Sequence, residues 1–194
     1  MIKKILLTFS LALSLFGNET DGKYLDDSKM DYTDLRIFVG VDGSYNYQIA
    51  SENLDKSALG YSIYAGIPIY ELELIAKKTT TFSNNLDLDS QSLTLNIPIS
   101  GTGSRSVYVG FLGGNAKVTY NDSTKTALNL VEKTTDGSFY GLHIGKRYKF
   151  SQNFFGRMEF EYLKYNLQTK NTVDATTLDL NSGVAFIYGL EYRF

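Results

Sequence analysis

Residues 178–194 read LDLNSGVAFIYGLEYRF, and the two faces of this stretch decide the fold. Leu178, Leu180, Val184, Phe186, Tyr188, Leu190, Tyr192 and Phe194 fall on one face of an extended chain. Gly183, Ala185, Ile187, Gly189, Glu191 and Arg193 fall on the other. Side chains of a strand alternate with period two. One face is therefore bulky and apolar, while the other is small or charged.

The same alternation recurs upstream as far as Leu35, and no later segment keeps a 3.6-residue period. Leu35, Ile37, Val39, Val41, Tyr45 and Tyr47 oppose Arg36, Gly40, Asp42, Ser44 and Asn46, with Phe38 the large exception. Leu59, Tyr61, Ile63, Ala65 and Ile67 oppose Gly60, Ser62, Tyr64 and Gly66. Tyr70, Leu72, Leu74 and Ala76 oppose Glu71, Glu73, Ile75 and Lys77; Leu93, Leu95, Ile97 and Ile99 oppose Thr94, Asn96 and Pro98. Tyr140, Leu142, Ile144, Tyr148 and Phe150 oppose Gly141, His143, Gly145, Arg147 and Lys149. Met158, Phe160 and Tyr162 oppose Arg157, Glu159 and Glu161, and beyond Leu163 the phase is expected to break as the strand leaves the membrane. For the fifth strand, residues 105–120, the expectation is Tyr108, Leu112, Ala116, Val118 and Tyr120 outward. A bulge near Gly113–Gly114 would give the opposite phase lower down, with Val107, Val109 and Phe111 outward.

The connections alternate in length. Short ones fall near Pro68, at 101–104 and at 151–153; longer polar ones span 48–57, 79–90, 121–137 and 169–177. Short turns at one end and long loops at the other are the pattern of an up-and-down transmembrane barrel. Runs of ten or eleven residues, rising about 3.3 Å each and tilted by about 40°, climb close to the 25 Å apolar band of such a barrel. The expected fold is all-β: an eight-stranded antiparallel up-and-down transmembrane β-barrel over residues 35–194, with 18–34 a short periplasmic lead-in.

Residues 1–17 point to export. Lys3 and Lys4 precede an apolar run from Ile5 to Phe16, too short to span a bilayer but fitting a signal peptide. Cleavage after Gly17 is expected, although Leu15 departs from the small-residue rule. The 15 Tyr, 12 Phe and 17 Gly against 2 Pro suit many strands joined by turns. No cysteine is present, which excludes a disulfide scaffold, a thiolate site and a lipidated lipoprotein Cys. A net charge near −2 without a basic block gives no sign of nucleic-acid binding.

The charges set the faces. Arg36, Glu71, Glu73, Lys77, Arg147, Arg157, Glu159, Glu161, Glu191 and Arg193 all fall on the polar face. An Arg or Lys on the lipid side at mid-membrane costs about 2–4 kcal/mol, so this face belongs to the lumen. An eight-strand interior is just wide enough to be filled by side chains, so a plug of ion pairs is expected rather than a wide pore. A soluble lipocalin-like barrel would need the apolar face inside. Tyr45, Tyr47, Tyr70, Tyr108, Tyr120, Tyr148, Phe150, Phe154, Tyr192 and Phe194 near strand ends read as aromatic girdles.

The terminal stretch resembles the last strand of bacterial outer-membrane proteins, in which a final Phe follows Tyr and alternate apolar residues. Phe186, Tyr188, Leu190, Tyr192 and Phe194 match that pattern. The resemblance implies that these residues form the assembly signal read by the barrel-insertion machinery. The whole plan resembles the small OmpA/OmpX/opacity-protein-like barrels, and implies residence in the outer membrane of a Gram-negative envelope after passage through the periplasm. Since the residues end at the final strand, the periplasmic peptidoglycan-binding domain of full-length OmpA is expected to be lacking.

No catalytic chemistry is expected. Lipid A deacylases of this size use a His with a Ser two residues on, whereas His143 is followed at that spacing by Gly145 and points inward. Omptin-like proteases need paired acidic and His groups that one His does not supply. Glu159 and Glu161 share a face with Arg157 and read as ion-pair partners rather than an acid/base pair. The glycines of residues 100–104, SGTGS, precede no helix, and no calcium-loop spacing occurs. The expected role is structural or surface-interacting, in envelope integrity or adhesion, with no catalytic, cofactor or metal site. Expected partners are outer-membrane lipid, the insertion machinery and an extracellular partner met through the loops. A narrow porin-like channel for ions or small solutes is the alternative, and a lipid A-modifying enzyme a lesser one.

Overall fold

A computed structural model describes residues 36–49, 57–69, 72–100, 105–170 and 177–194. The expected signal peptide and lead-in, with Leu35, Tyr70 and Glu71, lie outside these residues. Eight strands form: β1 (Phe38–Ile49), β2 (Ser57–Ile69), β3 (Leu72–Phe82), β4 (Leu86–Ser100), β5 (Arg105–Tyr120), β6 (Thr134–Lys149), β7 (Phe154–Lys170) and β8 (Thr177–Arg193). One short helix, α1 (Asp122–Ala127), joins β5 to β6. Each strand pairs antiparallel with its sequence neighbour, and β8 closes on β1 from Phe38↔Arg193 to Ile49↔Ser182. No sheet edge is left, as hydrocarbon requires of a spanning sheet.

The register fixes the stagger. A ladder row followed from Val39 passes through Ala65, Ala76, Leu93, Gly113, Tyr140, Lys164 and Ser182. It returns to β1 at Ile49, ten residues beyond its start. Strand number and stagger together set the tilt, here about 40°, and each row climbs by about one and a quarter residues per strand. On that count Tyr45, Tyr61, Tyr140 and Tyr162 stand at one level. Tyr148, Phe154, Tyr192 and Phe194 form a lower ring, in which Tyr192 packs edge-on against Phe154 at 5.2 Å and Phe194 at 5.1 Å between ring centroids. Between the rings the wall is largely apolar, with Val41, Ile63, Leu93, Phe111, Leu142, Ile144 and Leu190 exposed; the outward Lys146 stands one step above the lower ring, its ammonium 5.1 Å from the Tyr148 ring. This is the band-and-girdle pattern of a transmembrane barrel. The lower end carries both termini of the barrel and the short connections, so it is the periplasmic end.

Several sequence expectations are corrected, most of them at or above the upper ring. In β5, Tyr108, Leu112, Ala116, Val118 and Tyr120 point inward and are buried, while Phe111, Asn115 and Lys117 are exposed outside. Val107 and Val109 take the outward phase with Phe111. No bulge intervenes at Gly113–Gly114, because both flanking ladders run through it unbroken. The irregularities lie at Pro98/Ser100 and Lys164/Leu167 instead. Along β5 the facing of the strand stays constant and the outside medium changes from acyl chains to water. Tyr108, in the membrane half, fills the lumen beside Glu159 and Arg147, and Tyr120 lies in the core above, so both leave the girdle.

In β7 the phase does not break either. Leu163, Tyr165, Leu167 and Thr169 continue inward, with Lys164, Asn166 and Gln168 outward. The segment 79–90 is two paired strands joined by a tight turn at 83–85, not a long loop. Ser83 secures that turn, its hydroxyl donating to the Leu86 carbonyl at 3.0 Å and accepting from the Leu86 amide at 3.1 Å. Residues 121–133 hold α1, and Leu130 returns from it into the barrel mouth. Lys133 pairs with Asp122 at 2.8 Å, which holds that carboxyl below the usual range.

The extracellular part of the interior is thus an apolar core of Leu86, Leu88, Leu112, Val118, Phe139 and Leu163 with their neighbours. Truncation of Leu88 to Ala should destabilise the barrel by about 3 kcal/mol through lost burial and a residual cavity. Asp87→Ala, next to it on the water-facing side, should change stability by about 0.5 kcal/mol or less. Urea titration in lipid vesicles, read by gel mobility of unboiled samples, distinguishes a core strand from a loop at this position.

Candidate functional site in the barrel lumen

The sequence places charges at alternate positions of several strands, and the stagger brings them together inside. By the row count, every buried charge lies at levels where the outer wall is apolar. Five carboxylates (Asp42, Glu73, Glu159, Glu161, Glu191) and four cations (Lys77, Arg147, Arg157, Arg193) are buried there among the described residues. The site is nearly neutral in sum.

They form two linked groups. In the lower one Glu73 on β3 is gripped by two arginines. Arg147 on β6 donates to both of its oxygens, at 3.0 and 2.9 Å, and Arg193 on β8 donates to Oε1 at 2.6 Å. Glu191 is shared by the same arginines, lying 3.3 Å from Arg147 Nε and 2.7 Å from Arg193 Nε. The Arg193 guanidinium also sits over the Phe38 and Phe155 rings, at 4.9 and 5.1 Å. In the upper group Arg157 Nη2 meets Glu159 at 2.6 Å and its Nε lies 3.5 Å from Asp42. Lys77 donates to Glu161 at 2.8 Å and reaches Asp42 at 4.0 Å. Tyr108 ties the groups: its hydroxyl donates to Glu159 at 2.7 Å, and Arg147 stacks over its ring at 5.1 Å.

His143 belongs to this packing. Asn96 donates through Nδ2 to Glu73, so its Oδ1 must accept, and the 2.7 Å contact makes His143 Nε2 the donor. His143 is thereby assigned as the Nε2–H tautomer, and its buried Nδ1 meets no donor among the described residues. It stands edge-on to Tyr108 at 5.9 Å, on the lumen side of the wall rather than the lipid side.

Glycines make room for the large lumen groups. A Cβ on Gly40 would run into the Tyr64 ring, and one on Gly145 into the Tyr108 ring. Tyr64 in turn carries Arg157 over its face at 4.2 Å. These glycines are there for close approach and not for unusual backbone angles.

Of the residues singled out from sequence, Glu73, Lys77, Arg147, Arg157, Glu159, Glu161, Glu191 and Arg193 meet in this network. Arg36 is half-buried at the start of the described chain, and Glu71 lies outside the described residues. Asp42 was left out of the charged set, yet it joins Lys77 to Arg157; its inward phase on β1 was the available signal. Asn96 and Tyr108 were missed because neither is charged, and Tyr108 through its wrongly assigned face. Phe186, Tyr188, Leu190, Tyr192 and Phe194 all lie on the outer face of the closing strand.

An outer wall apolar between two aromatic rings, with ions sealed inside, defines the class: a small transmembrane β-barrel of the bacterial outer membrane. No protein-family model matches the sequence, and no curated protein matches it. Solved structures share the fold. Neisserial surface protein A (NspA) superposes with a TM-score of 0.67 at 13% identity, over 81% of this chain and 97% of that one. Outer membrane protein H (OprH) from P. aeruginosa gives 0.54 at 21%, over 82% and 99%. Outer membrane protein AlkL gives 0.52 at 13%, over 91% and 96%. These likenesses define the architecture, a small up-and-down barrel of the OmpA/OmpX-like kind.

Breaking the network from one side leaves charge without a partner. Glu73→Ala leaves Arg147 and Arg193 with Glu191 as their one shared carboxylate, and should cost about 3–5 kcal/mol. Replacing Glu73 and Arg193 together by Met should recover more than half of that loss, since Arg147 keeps Glu191. Parallel urea titrations of the single and double variants in vesicles measure both values.

Proposed function

We propose that this protein is a non-enzymatic structural and surface-interaction barrel, contributing to envelope integrity or adhesion, with a lumen that does not conduct. One observation carries the reading: the lumen is stoppered twice. At the top of the ion-pair layer, a cavity of about 20 Å³ is lined by Ser44, Ser62, Lys77, Glu161, Leu112 and Phe139 among others. That is room for about one water. Above it the apolar core and Leu130 fill the mouth.

A narrow channel would need the ion pairs and this core to give way together. A catalytic reading would need a nucleophile beside His143, where Asn96 and Gly110 stand instead. The surface half of the reading rests on strands of up to 17 residues, which carry the barrel past the upper aromatic ring. Asp122, Ser123, Thr126 and Lys133 of the β5–β6 connection are exposed there. Neisserial surface protein A, of the same fold, is by its name a surface protein. Assembly through the terminal strand's Phe186, Tyr188, Leu190, Tyr192 and Phe194, read by the insertion machinery, belongs to the same proposal.

Planar-bilayer recording of the refolded protein tests it. The expected trace shows no stable open level; a large, lasting conductance would overturn the closed lumen.

A further inference from the structure

The outer wall is not uniform around its circumference. At the upper ring, β1, β2, β6 and β7 present Tyr45, Tyr61, Tyr140 and Tyr162, and the sector β3–β5 presents Lys78, Gln91 and Gly113 in their place. Beneath Lys78 a groove of about 610 Å³ opens in the lipid-facing wall, with Ala65, Ala76 and Gly113 as its floor and Ile63 and Leu93 at its sides. Ala65, Ala76 and Gly113 lie along one ladder row, in which the exposed Leu93 rises between Ala76 and Gly113. The rim above is polar: Lys78, Gln91 and Asn115, again one row.

Two features make this more than a gap between side chains. Gly113 is not required by the barrel: a Cβ there would meet nothing closer than the Phe139 carbonyl oxygen at 3.7 Å, an ordinary contact. This contrasts with the lumen glycines, where a Cβ collides. Lys78 has no acidic ladder partner, being paired with Ile63 and Gln91, and the diagonal Asp89 accepts from the Thr80 hydroxyl at 2.7 Å. Lys117, one step higher, is flanked by Asp89 and Asp136. Lys78 therefore offers an exposed ammonium with no ion pair among the described residues, at the boundary between acyl chains and headgroups. A charge-assisted contact with a phosphate oxygen suits it, and the small-residue floor suits a hydrocarbon chain packed against the wall.

We propose that this groove binds an outer-leaflet phosphorylated glycolipid of the lipid A type, one acyl chain lying over Ala65, Ala76 and Gly113 and a phosphate on Lys78. Gln91 and Asn115 supply hydrogen bonds to the sugar beside it. The extracellular level of the rim points to an outer-leaflet lipid, and its single unpaired cation to a phosphorylated headgroup.

The test uses the folded barrel in zwitterionic micelles, titrated with diphosphoryl lipid A and followed by the amide resonances of Leu93 and Asn115. Saturable shifts at both are expected. Gly113→Leu and Ala76→Leu fill the floor from the lipid side and should abolish saturation while leaving the heat-dependent gel shift of the folded barrel intact. Lys78→Gln should weaken binding about tenfold, the scale of one charge-assisted hydrogen bond, and removal of the lipid's phosphates should produce the same loss in the unsubstituted protein. Shifts that never saturate, or that survive both groove-filling variants, would overturn the site. Equal binding of phosphatidylglycerol would overturn the assignment to a glycolipid.

Discussion

The structure depends on which solvent touches each part of its wall. In hydrocarbon an unpaired backbone amide costs several kcal/mol, so the eight strands must close, and the whole of β1 pairs with β8. Closure at a stagger of ten leaves an interior the width of a few side chains. Charged groups excluded from the lipid side have only that interior to occupy, and there they must neutralise one another. The five carboxylates and four cations, with Tyr108 and Asn96 between them, answer that requirement.

Above the upper aromatic ring the same backbone obeys the opposite rule. Water surrounds the wall, Lys117, Lys164 and Asn166 face it, and the lumen becomes an ordinary apolar core. The barrel is therefore inside-out in its membrane half and conventional in its extracellular half, with one unbroken strand geometry passing through both. The small water-sized cavity marks the boundary between the two fillings.

Where the medium is constant, the sequence was legible. From Ile37 to Tyr47 and from Val184 to Phe194, alternation alone separated lipid face from lumen face, and most of the charged set followed from it. Where the medium changes within a strand, the rule that apolar means outward misplaced Leu112, Ala116 and Val118, and made a phase break of Leu163 in β7. Reading the outward Asn115 and Lys117 as the sign of water, rather than of a reversed face, would have recovered them. The turn at Ser83 was hidden for a related reason: Asp87 and Asp89 look like a polar loop until Leu86 and Leu88 are seen to alternate with them. Pairings within the lumen were not legible, since Glu73 meets Arg193 across 120 positions only through the stagger.

The ion pairs that cross the lumen need the closed barrel. Glu73 with Arg193, Lys77 with Glu161 and Asp42 with Arg157 each join the first strands to the last ones, across a tube that does not exist until its seam is shut. Interactions absent from the transition state act on the rate of opening rather than of formation. The lumen network thus governs how long the finished barrel persists, and leaves the speed of its assembly to the strands themselves.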